Sequence, residues 1–293
     1  MDPISLSTFA AVARRGSVSA AALDLHTVQS NVTARIKQLE ADLGVTLFVR
    51  HSRGVRPTAA GDRLLGFALR YALLEDEVRT AMREDGAVVG QLRLGTMETT
   101  AAVRLPPLLA SFHKVHPDVQ LEIRTGTTAE LLEQVLAHRL DGAFIAGPLD
   151  HPDLKGRLAF REELMLVTSR ESLRLHERLA RARLTVVVFR TGCSYRQRLE
   201  TAFASKGWLP YQRLELGTLD GMLGCVAADI GVTMLPLSVI DAYSGRKRLR
   251  VESLGRGMRV DTLFVRRADA RQSPAMIAFD DLLAGDIQRQ AAV

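Results

Sequence analysis

The 293-residue chain contains only two cysteines, Cys193 and Cys225, which is too few for a disulfide framework and favours a reducing, cytoplasmic location. It has no apolar run near the roughly 18 residues that a membrane span requires. Its start, MDPISLSTFA, does not place a basic segment before an apolar one, as a secretory signal does. We therefore expect a cytoplasmic protein with no membrane partner.

Sequence motifs of common enzyme classes are also missing. The chain has no HExxH, no GxxxxGK and no GxSxG. Its seven histidines are scattered, and the pair His113 and His116 has no further metal ligands nearby in the sequence. The sequence thus predicts neither an enzyme nor a bound metal or cofactor.

The length and composition are those of an ordinary globular protein with about two domains. Hydrophobic residues make up 47% of the chain and charged residues 25%. The net charge of +6 favours polyanionic partners only weakly, and residues 1–61 carry a basic excess of just three. The evidence for DNA binding therefore has to come from a motif rather than from overall charge.

Residues 4–61 have the pattern of a winged helix-turn-helix. Helical spacing over 4–15 is followed by Gly16 and a compact Ala-rich helix, and a third helix is predicted over 30–43. Alternation over 45–49 then predicts a strand, with the wing tip over 50–56. The third helix keeps an apolar stripe of Val32, Ile36, Leu39 and Leu43.

The outward face of the third helix carries short polar side chains of the kind that read bases. Gln bonds adenine, Arg bonds guanine and a Thr methyl contacts the thymine methyl, whereas arginines at a wing contact phosphates or the minor groove. The alternative is a solvated helix face beside a basic loop. The predicted DNA-binding residues are Gln29, Ser30, Asn31, Thr33, Arg35, Arg50 and Arg53.

A long helix is predicted from Thr58 to about Val88, and it would be roughly 45 Å long. It carries an apolar stripe that nothing adjacent in sequence is long enough to cover, so we expect dimerisation, with an ordinary buried core helix as the alternative. The stripe contains Leu64, Leu65, Ala68, Tyr71, Ala72, Leu74 and Val78. We divide this half into a DNA-binding domain, 1–58, and a linker helix with hinge, 59–90.

Residues 91–293 alternate between strand and helix patterns. Strands are predicted over 92–96, 119–125, 142–146, 164–168, 185–189, 213–216, 231–235 and 260–266. The helices are predicted over 101–113, 129–137, 194–205, 219–227 and 275–287. The alternation predicts an α/β domain with mostly parallel sheets and helices on both faces.

The first 65 residues resemble the LysR-type bacterial transcriptional regulators, and a weaker similarity continues to the end of the chain. The matching residues are Leu6, Phe9, Val12, Ala13, Gly16, Ser17, Ala21, Ala22, Leu25, Val32, Ile36, Leu39, Glu40, Leu43, Gly44, Leu47, Phe48, Arg50, Pro57, Thr58 and Gly61. The family's usual DNA contacts fall on Gln29, Ser30, Thr33, Arg50 and Arg53. One departure is Thr33-Ala34-Arg35-Ile36, where the family often has Ser-Arg-Gln-Ile, so Arg35 is expected to take over a contact.

The resemblance also implies a homodimer or homotetramer on promoter DNA, controlled by a small-molecule effector. Residues 91–293 would form an effector-binding domain of two subdomains like a type 2 periplasmic binding protein. One subdomain would comprise about 91–161 plus 267–293 and the other about 162–266. A ligand would bind in the cleft between them.

Three segments offer polar groups to that cleft, at 96–100, 126–128 and 191–194. Each follows a strand and opens a helix, which suits an anion, although simple helix capping explains each segment equally well. Glu98 would repel an anion unless it points away or meets an amine. The predicted effector-binding residues are Thr96, Glu98, Thr99, Thr100, Thr127, Cys193, Ser194 and Leu219.

Two alternatives remain. Cys193 precedes a helix, where the dipole lowers a thiol pKa, so redox sensing is a minor variant of the effector hypothesis. The α/β part alone would also fit a transport-type small-molecule-binding protein, against which the helix-turn-helix pattern and the lack of a signal segment both argue.

Overall fold

The computed structural model describes residues 2–52, 54–82, 87–171, 184–208, 211–255 and 258–291. The chain divides into two compact units, one of residues 1–90 with 271–278 and the other of residues 91–270 with 279–293. Within the described residues, no helix is long and apolar enough to cross a membrane.

The first unit contains the expected three helices and wing. The elements are α1 (Pro3–Arg15), α2 (Val18–Asp24), α3 (Gln29–Leu43), β1 (Phe48–His51), β2 (Gly54–Pro57) and α4 (Ala59–Ala81). Asp2 caps α1 by accepting the Ser5 N–H at 3.0 Å, and Gly16 ends the helix with a left-handed φ of 62°. A single apolar core, which includes Phe9, Val12 and Leu39, joins these elements.

The long helix α4 is shorter in the described residues than its pattern predicted. It ends at Ala81, and residues 83–86 lie outside the described part of the chain. Its first half is covered within this unit, since Leu65 and Ala68 are buried in the same core as α1. The expectation that nothing nearby covers the stripe is therefore wrong for this half. Farther along, Leu74, Val78 and Met82 are more than half exposed.

The second unit alternates strands with helices. Its strands are β3 (Gly90–Thr96), β4 (Val119–Thr125), β5 (Gly142–Ala146), β6 (Leu154–Ser169), β7 (Thr185–Val188), β8 (Gln212–Glu215), β9 (Thr233–Pro236), β10 (Leu249–Glu252) and β11 (Arg259–Arg267). Its helices are α5 (Glu98–Val103), α6 (Leu105–Val115), α7 (Thr128–Leu136), α8 (Ser194–Ser205), α9 (Leu219–Ala227) and α10 (Leu237–Ala242), with a 3₁₀ turn over Arg246–Arg248. The last helix, α11 (Pro274–Ala291), belongs to this unit from residue 279 onward.

The two parts of strand β6 pair with different strands. Residues 154–163 pair with β11, which continues through β5 and β3 to β4. Residues 164–169 pair instead with β9 and β10. A short parallel pair, β7 and β8, lies beside β9 through a bridge between Val186 and Val232. The two halves of this α/β unit therefore share one continuous strand.

The expectation of mostly parallel sheets is wrong. Among the strand pairs of this unit with a defined residue register, only β3 with β5 and β7 with β8 are parallel. Strands β11 and β6, in contrast, form antiparallel ladders with all their partners. The reason is that β11 returns from late in the chain and runs antiparallel to both β5 and β6. In addition, the single helix expected over 101–113 is two helices, which meet at Arg104 just before Pro106 and Pro107.

Candidate functional site

The first candidate site is the outer face of α3. Val32, Ile36 and Leu39 fix the helix to the core. This leaves the polar face outward: Gln29, Ser30, Asn31 and Arg35 are exposed, and Thr33 is half-buried. A face of short polar groups with an apolar back has the arrangement needed to enter a DNA groove.

Side chains at the start of α3 are held by their neighbours. The Ser19 hydroxyl of α2 donates to Gln29 Oε1 at 3.1 Å, and the Asn31 amide donates to Thr27 Oγ1 at 3.2 Å. These bonds restrict both side chains on the outer face, which reduces the entropy lost when either contacts a partner.

Arg35 lies near the start of α1. Hydrogen bonds from Ser5 hold the pKa of the Asp2 carboxyl below its ordinary value, and the charge of Arg35 contributes to the same shift. Arg35 is nonetheless exposed, so its guanidinium is accessible to a phosphate or a base edge.

The wing is attached to α3 by one carboxylate. Glu40 Oε1 accepts the Leu47 N–H at 2.7 Å and the Phe48 N–H at 3.3 Å. On the return strand, the Val55 N–H donates to the carbonyl oxygen of Gly16 at 2.9 Å. A side chain at Gly54 would clash with that carbonyl, so glycine is required where the wing returns to α1.

Arginines lie on the outside of the wing. Arg50 and Arg56 are exposed on β1 and β2, while Arg53 at the tip lies outside the described residues. Arg56 was not among the predicted contacts, although its position next to the buried Val55 gives the alternation that signals an outward side chain.

The second candidate site is a cavity of about 60 Å³ in the α/β unit. Four segments meet there: the turn into α5, the turn into α7, the turn into α8 and the turn before α9. Its wall is formed by Met97, Glu98, Thr99, Thr125, Gly126, Thr127, Thr128, Phe189, Arg190, Cys193, Ser194, Tyr195 and Gly217.

Contacts between two of these segments close one end of the cavity. The Ser194 hydroxyl donates to Thr128 Oγ1 at 3.2 Å. Beside them, Gly192 adopts a left-handed φ of 94°, and a Cβ there would lie 3.0 Å from Thr127 Oγ1. The turn into α8 therefore packs directly against the turn into α7, which comes from the other half of the unit.

Two charged side chains line this cavity. Glu98 is half-buried in the first turn of α5. Arg190 is 58% exposed, and its guanidinium lies 3.7 Å from the Glu130 carboxylate. Glu130 accepts the Thr127 N–H at 2.8 Å, and this bond, together with Arg190, holds the pKa of Glu130 below its ordinary value.

Burial shifts the pKa values of the phenol and the thiol that line the cavity. Burial raises the pKa of Tyr195, against a smaller opposing effect of the Thr99 and Thr262 hydroxyls nearby. Burial likewise raises the pKa of the Cys193 thiol, and the backbone N–H groups of Tyr195 and Arg196 only partly oppose it. The lowered thiol pKa expected from the start of α8 is thus wrong, because desolvation outweighs the helix dipole here.

Two protein-family models together match most of the chain. The model described as "Bacterial regulatory helix-turn-helix protein, lysR family" matches residues 5–62, and the model described as "LysR substrate binding domain" matches residues 85–287. The chain belongs to the LysR family.

Characterised relatives of this LysR-family chain are named as regulators. The HTH-type transcriptional regulator GltR of Bacillus subtilis (strain 168) is 42% identical over 275 residues, covering 94% of this chain and 93% of that protein. The HTH-type transcriptional regulator CzcR of Bacillus anthracis is 38% identical over 280 residues, covering 95% and 96%. The chain is a LysR-type transcription regulator with a DNA-binding and an effector-binding domain, and the transport-type alternative is set aside.

Solved structures of full length agree with the fold. CbnR in complex with its target DNA has a TM-score of 0.60 at 26% identity, covering 97% of this chain and 99% of that one. ArgP of Mycobacterium tuberculosis has a TM-score of 0.71 at 21% identity, covering 97% of both chains.

In this LysR-family chain, five of the eight predicted effector residues line the cavity: Glu98, Thr99, Thr127, Cys193 and Ser194. The other three do not line it. Thr96 is fully buried, with its hydroxyl donating to the Met97 carbonyl oxygen at 3.2 Å. Thr100 is buried on α5, and Leu219 packs into an apolar cluster with Val187 and Leu235.

Several wall residues were not predicted from the sequence of this LysR-family chain, chiefly Thr125, Phe189, Arg190, Tyr195 and Gly217. The sequence could have indicated Arg190, because this residue lies two positions after the end of β7, just as Thr127 lies two positions after the end of β4. Thr127 also acts as a helix cap, which was the simpler interpretation of this segment, since it forms a reciprocal capping box with Glu130. Among the described residues, no group of three or more His, Cys, Asp or Glu side chains could hold a metal ion.

Proposed function

We propose that this regulator reads promoter DNA with the outer face of α3 and that a small molecule in the α/β cavity controls the result. The observation that carries the proposal is the exposed polar face of α3 beside a wing with outward arginines. That combination places base-reading groups and phosphate-binding groups on one surface of the first unit.

The DNA contacts divide by chemistry. Gln29, Ser30, Asn31, Thr33 and Arg35 face the bases and determine sequence preference. Arg50 and Arg53 bind phosphates, as does the additional residue Arg56, and they determine affinity and its salt dependence.

The C-terminal half of α4 provides the dimer contact. Leu74, Val78 and Met82 recur at helical spacing and are each more than half exposed. An apolar stripe of this kind is best covered by the same helix of a second copy. We propose a homodimer as the basic unit, with a homotetramer as its further assembly, so that paired heads read half-sites about one helical turn apart.

The effector binds in the cavity of the α/β unit, against Glu98, Thr99, Thr127, Cys193 and Ser194. Thr96, Thr100 and Leu219 do not line the cavity. Because the cavity joins segments from both halves of a unit that share strand β6, a ligand there changes the angle between them and thereby the DNA-bound state. Redox sensing through Cys193 is the weaker variant, since burial raises the pKa of its thiol and so lowers the fraction of reactive thiolate. The proposed location is the cytoplasm, where promoter DNA is found.

Selection of random duplexes by the purified full-length protein tests the proposal. We expect enrichment of a pseudo-palindromic site and a binding constant that falls steeply with salt concentration. Equal affinity for the enriched site and for random DNA would overturn the proposed mode of reading.

A further inference from the structure

The effector cavity has one side chain of each charge in its wall, Glu98 and Arg190. We propose that the effector is a small zwitterion of the α-amino acid class, whose ammonium group meets Glu98 and whose carboxylate lies on the Arg190 side. This inference rests on the proposed function of the cavity and names the chemical class of its ligand.

Glu98 is the more informative of the two groups. Glu98 is half-buried and lines the cavity, and its side chain makes no hydrogen bond or ion pair with the described residues. A carboxylate that faces a cavity loses water when a ligand fills that cavity, and this loss is unfavourable unless the ligand brings a donor. An ammonium group supplies both the charge and the donors.

The Arg190 side of the cavity suits a carboxylate. Arg190 stands 3.7 Å from Glu130, beyond direct hydrogen-bond distance, so its guanidinium keeps donors for a second anion. The Thr128 and Ser194 hydroxyls, which bond to each other at 3.2 Å, lie in the same wall.

Other ligand classes fit the same wall less well. A dicarboxylate would bring a second negative charge towards Glu98, and like charges at close range repel. A neutral molecule would desolvate Glu98 and Arg190 without pairing either of them. The cavity of about 60 Å³ holds roughly four to six water-sized groups, which is the size of a small amino acid rather than of a nucleotide.

Matched ligand pairs test the proposal on the full-length protein. Thermal unfolding is measured with the common L-amino acids and with the α-hydroxy acids that replace the amine of each, such as alanine against lactate and aspartate against malate. We expect at least one amino acid to raise the Tm saturably, with its hydroxy acid binding about tenfold or more weakly.

The variant Glu98→Gln removes the proposed charge. It should weaken the responding amino acid about tenfold or more, while the anionic hydroxy acid, which no longer meets a like charge, binds as tightly as before or more tightly. Glu133→Gln is the matched control, since Glu133 is exposed on α7 and does not line the cavity. It should leave both ligands unchanged.

Three results would overturn the inference: an equal response to both members of a pair, an undiminished response of Glu98→Gln, or no response to any amino acid. A response to simple carboxylates alone would overturn it while the proposed function stands. Loss of sequence-specific DNA binding, in contrast, would count against the proposed function itself.

Discussion

Arg104 and the buried Glu162 form an ion pair at the point where β6 changes partners. Arg104 Nε donates to Glu162 Oε1 at 2.7 Å, and the Ser238 hydroxyl donates to the other carboxylate oxygen at 2.8 Å. Glu162 is 6% exposed and lies two residues before β6 turns from β11 to β9. One carboxylate thus joins the α5–α6 junction to α10, on the two halves of the α/β unit.

Removing the arginine of this pair should destabilise the α/β unit. Arg104→Ala leaves a buried carboxylate with only the Ser238 hydroxyl, and we expect a loss of about 2–4 kcal/mol in the free energy of unfolding. Urea denaturation of the full-length protein measures it. The control is Arg124→Ala, since Arg124 and its partner Glu122 are each one-third exposed and such pairs contribute about 0–1 kcal/mol. Equal losses in the two variants would contradict the role given to burial.

The attachment of the wing through Glu40 gives a second prediction. Glu40→Ala leaves the Leu47 and Phe48 N–H groups without their acceptor, which should cost about 1–3 kcal/mol and lower DNA affinity. Glu40→Gln retains an oxygen acceptor and should lose less on both measures. Chemical denaturation and fluorescence anisotropy with a labelled duplex supply the two readouts. If the alanine variant bound DNA as tightly as the parent, the wing would not need this attachment.

Substitution of a base-reading residue and substitution of a phosphate-binding residue should have different effects on DNA affinity. Thr33→Ala should reduce the ratio of specific to random affinity by about tenfold, because Thr33 is assigned to the bases. Arg50→Ala should weaken both affinities alike and reduce the slope of log K against log salt by about 1. Arg79→Ala, in the last turn of α4, is the control. A salt slope unchanged in Arg50→Ala would remove that residue from the phosphate contacts.

Charges placed on the exposed stripe of α4 should separate the dimer. Leu74→Lys combined with Val78→Lys puts two charges where apolar burial is proposed, so the dissociation constant should rise about 100-fold or more. Sedimentation velocity over a concentration series measures it. Glu77→Lys adds a charge in the same turn but off the stripe and should have a much smaller effect. An unaltered dimer in the double variant would place the contact elsewhere.

The raised pKa of Cys193 predicts slow alkylation. In Cys225→Ser protein, Cys193 is the one remaining thiol, and iodoacetamide should react with it about tenfold or more slowly at neutral pH than with glutathione. The rate should continue to rise with pH beyond the ordinary pKa of 9.0 rather than level off there, because the thiolate fraction grows until the pH passes the raised pKa. Because the thiol ionises earlier in the unfolded chain, its contribution to stability is present at neutral pH and is lost as the pH rises through this range. Fast reaction at neutral pH would restore the redox variant.

Much of the local structure could be predicted from the sequence, because periodicity and turn residues agreed. The bounds of β4, β5, α8 and α9 match the expected ranges, since each begins or ends at a clear polar or glycine signal. The first part of β6 was missed. Its charged residues, among them Lys155 and Arg157, resemble a solvated surface, and only pairing with β11 makes this segment a strand.

The site was predictable in part for a similar reason. Glu98 and Thr127 lie two residues after the ends of β3 and β4, so chain order alone brings them to the cavity. Thr96 and Thr100 belong to the same kind of segment but point inward, because neighbouring positions of a strand end or a helix face different sides. The place of Tyr195 depends on how the turn into α8 packs against Thr127 and Thr128, which local sequence does not specify.

The pairing of β6 with β11 also determines the order in which this protein can be completed during synthesis. The core of α1–α4 and the wing lies within residues 6–71, so all its contacts are available early in translation. Leu154, in contrast, pairs with Arg267, more than a hundred residues later. The ribosome must therefore release almost the whole chain before the central sheet can close, and such long-range pairing is the slow step of folding. A nascent or truncated chain that stops before β11 would therefore contain the complete DNA-binding domain but an incomplete effector-binding domain.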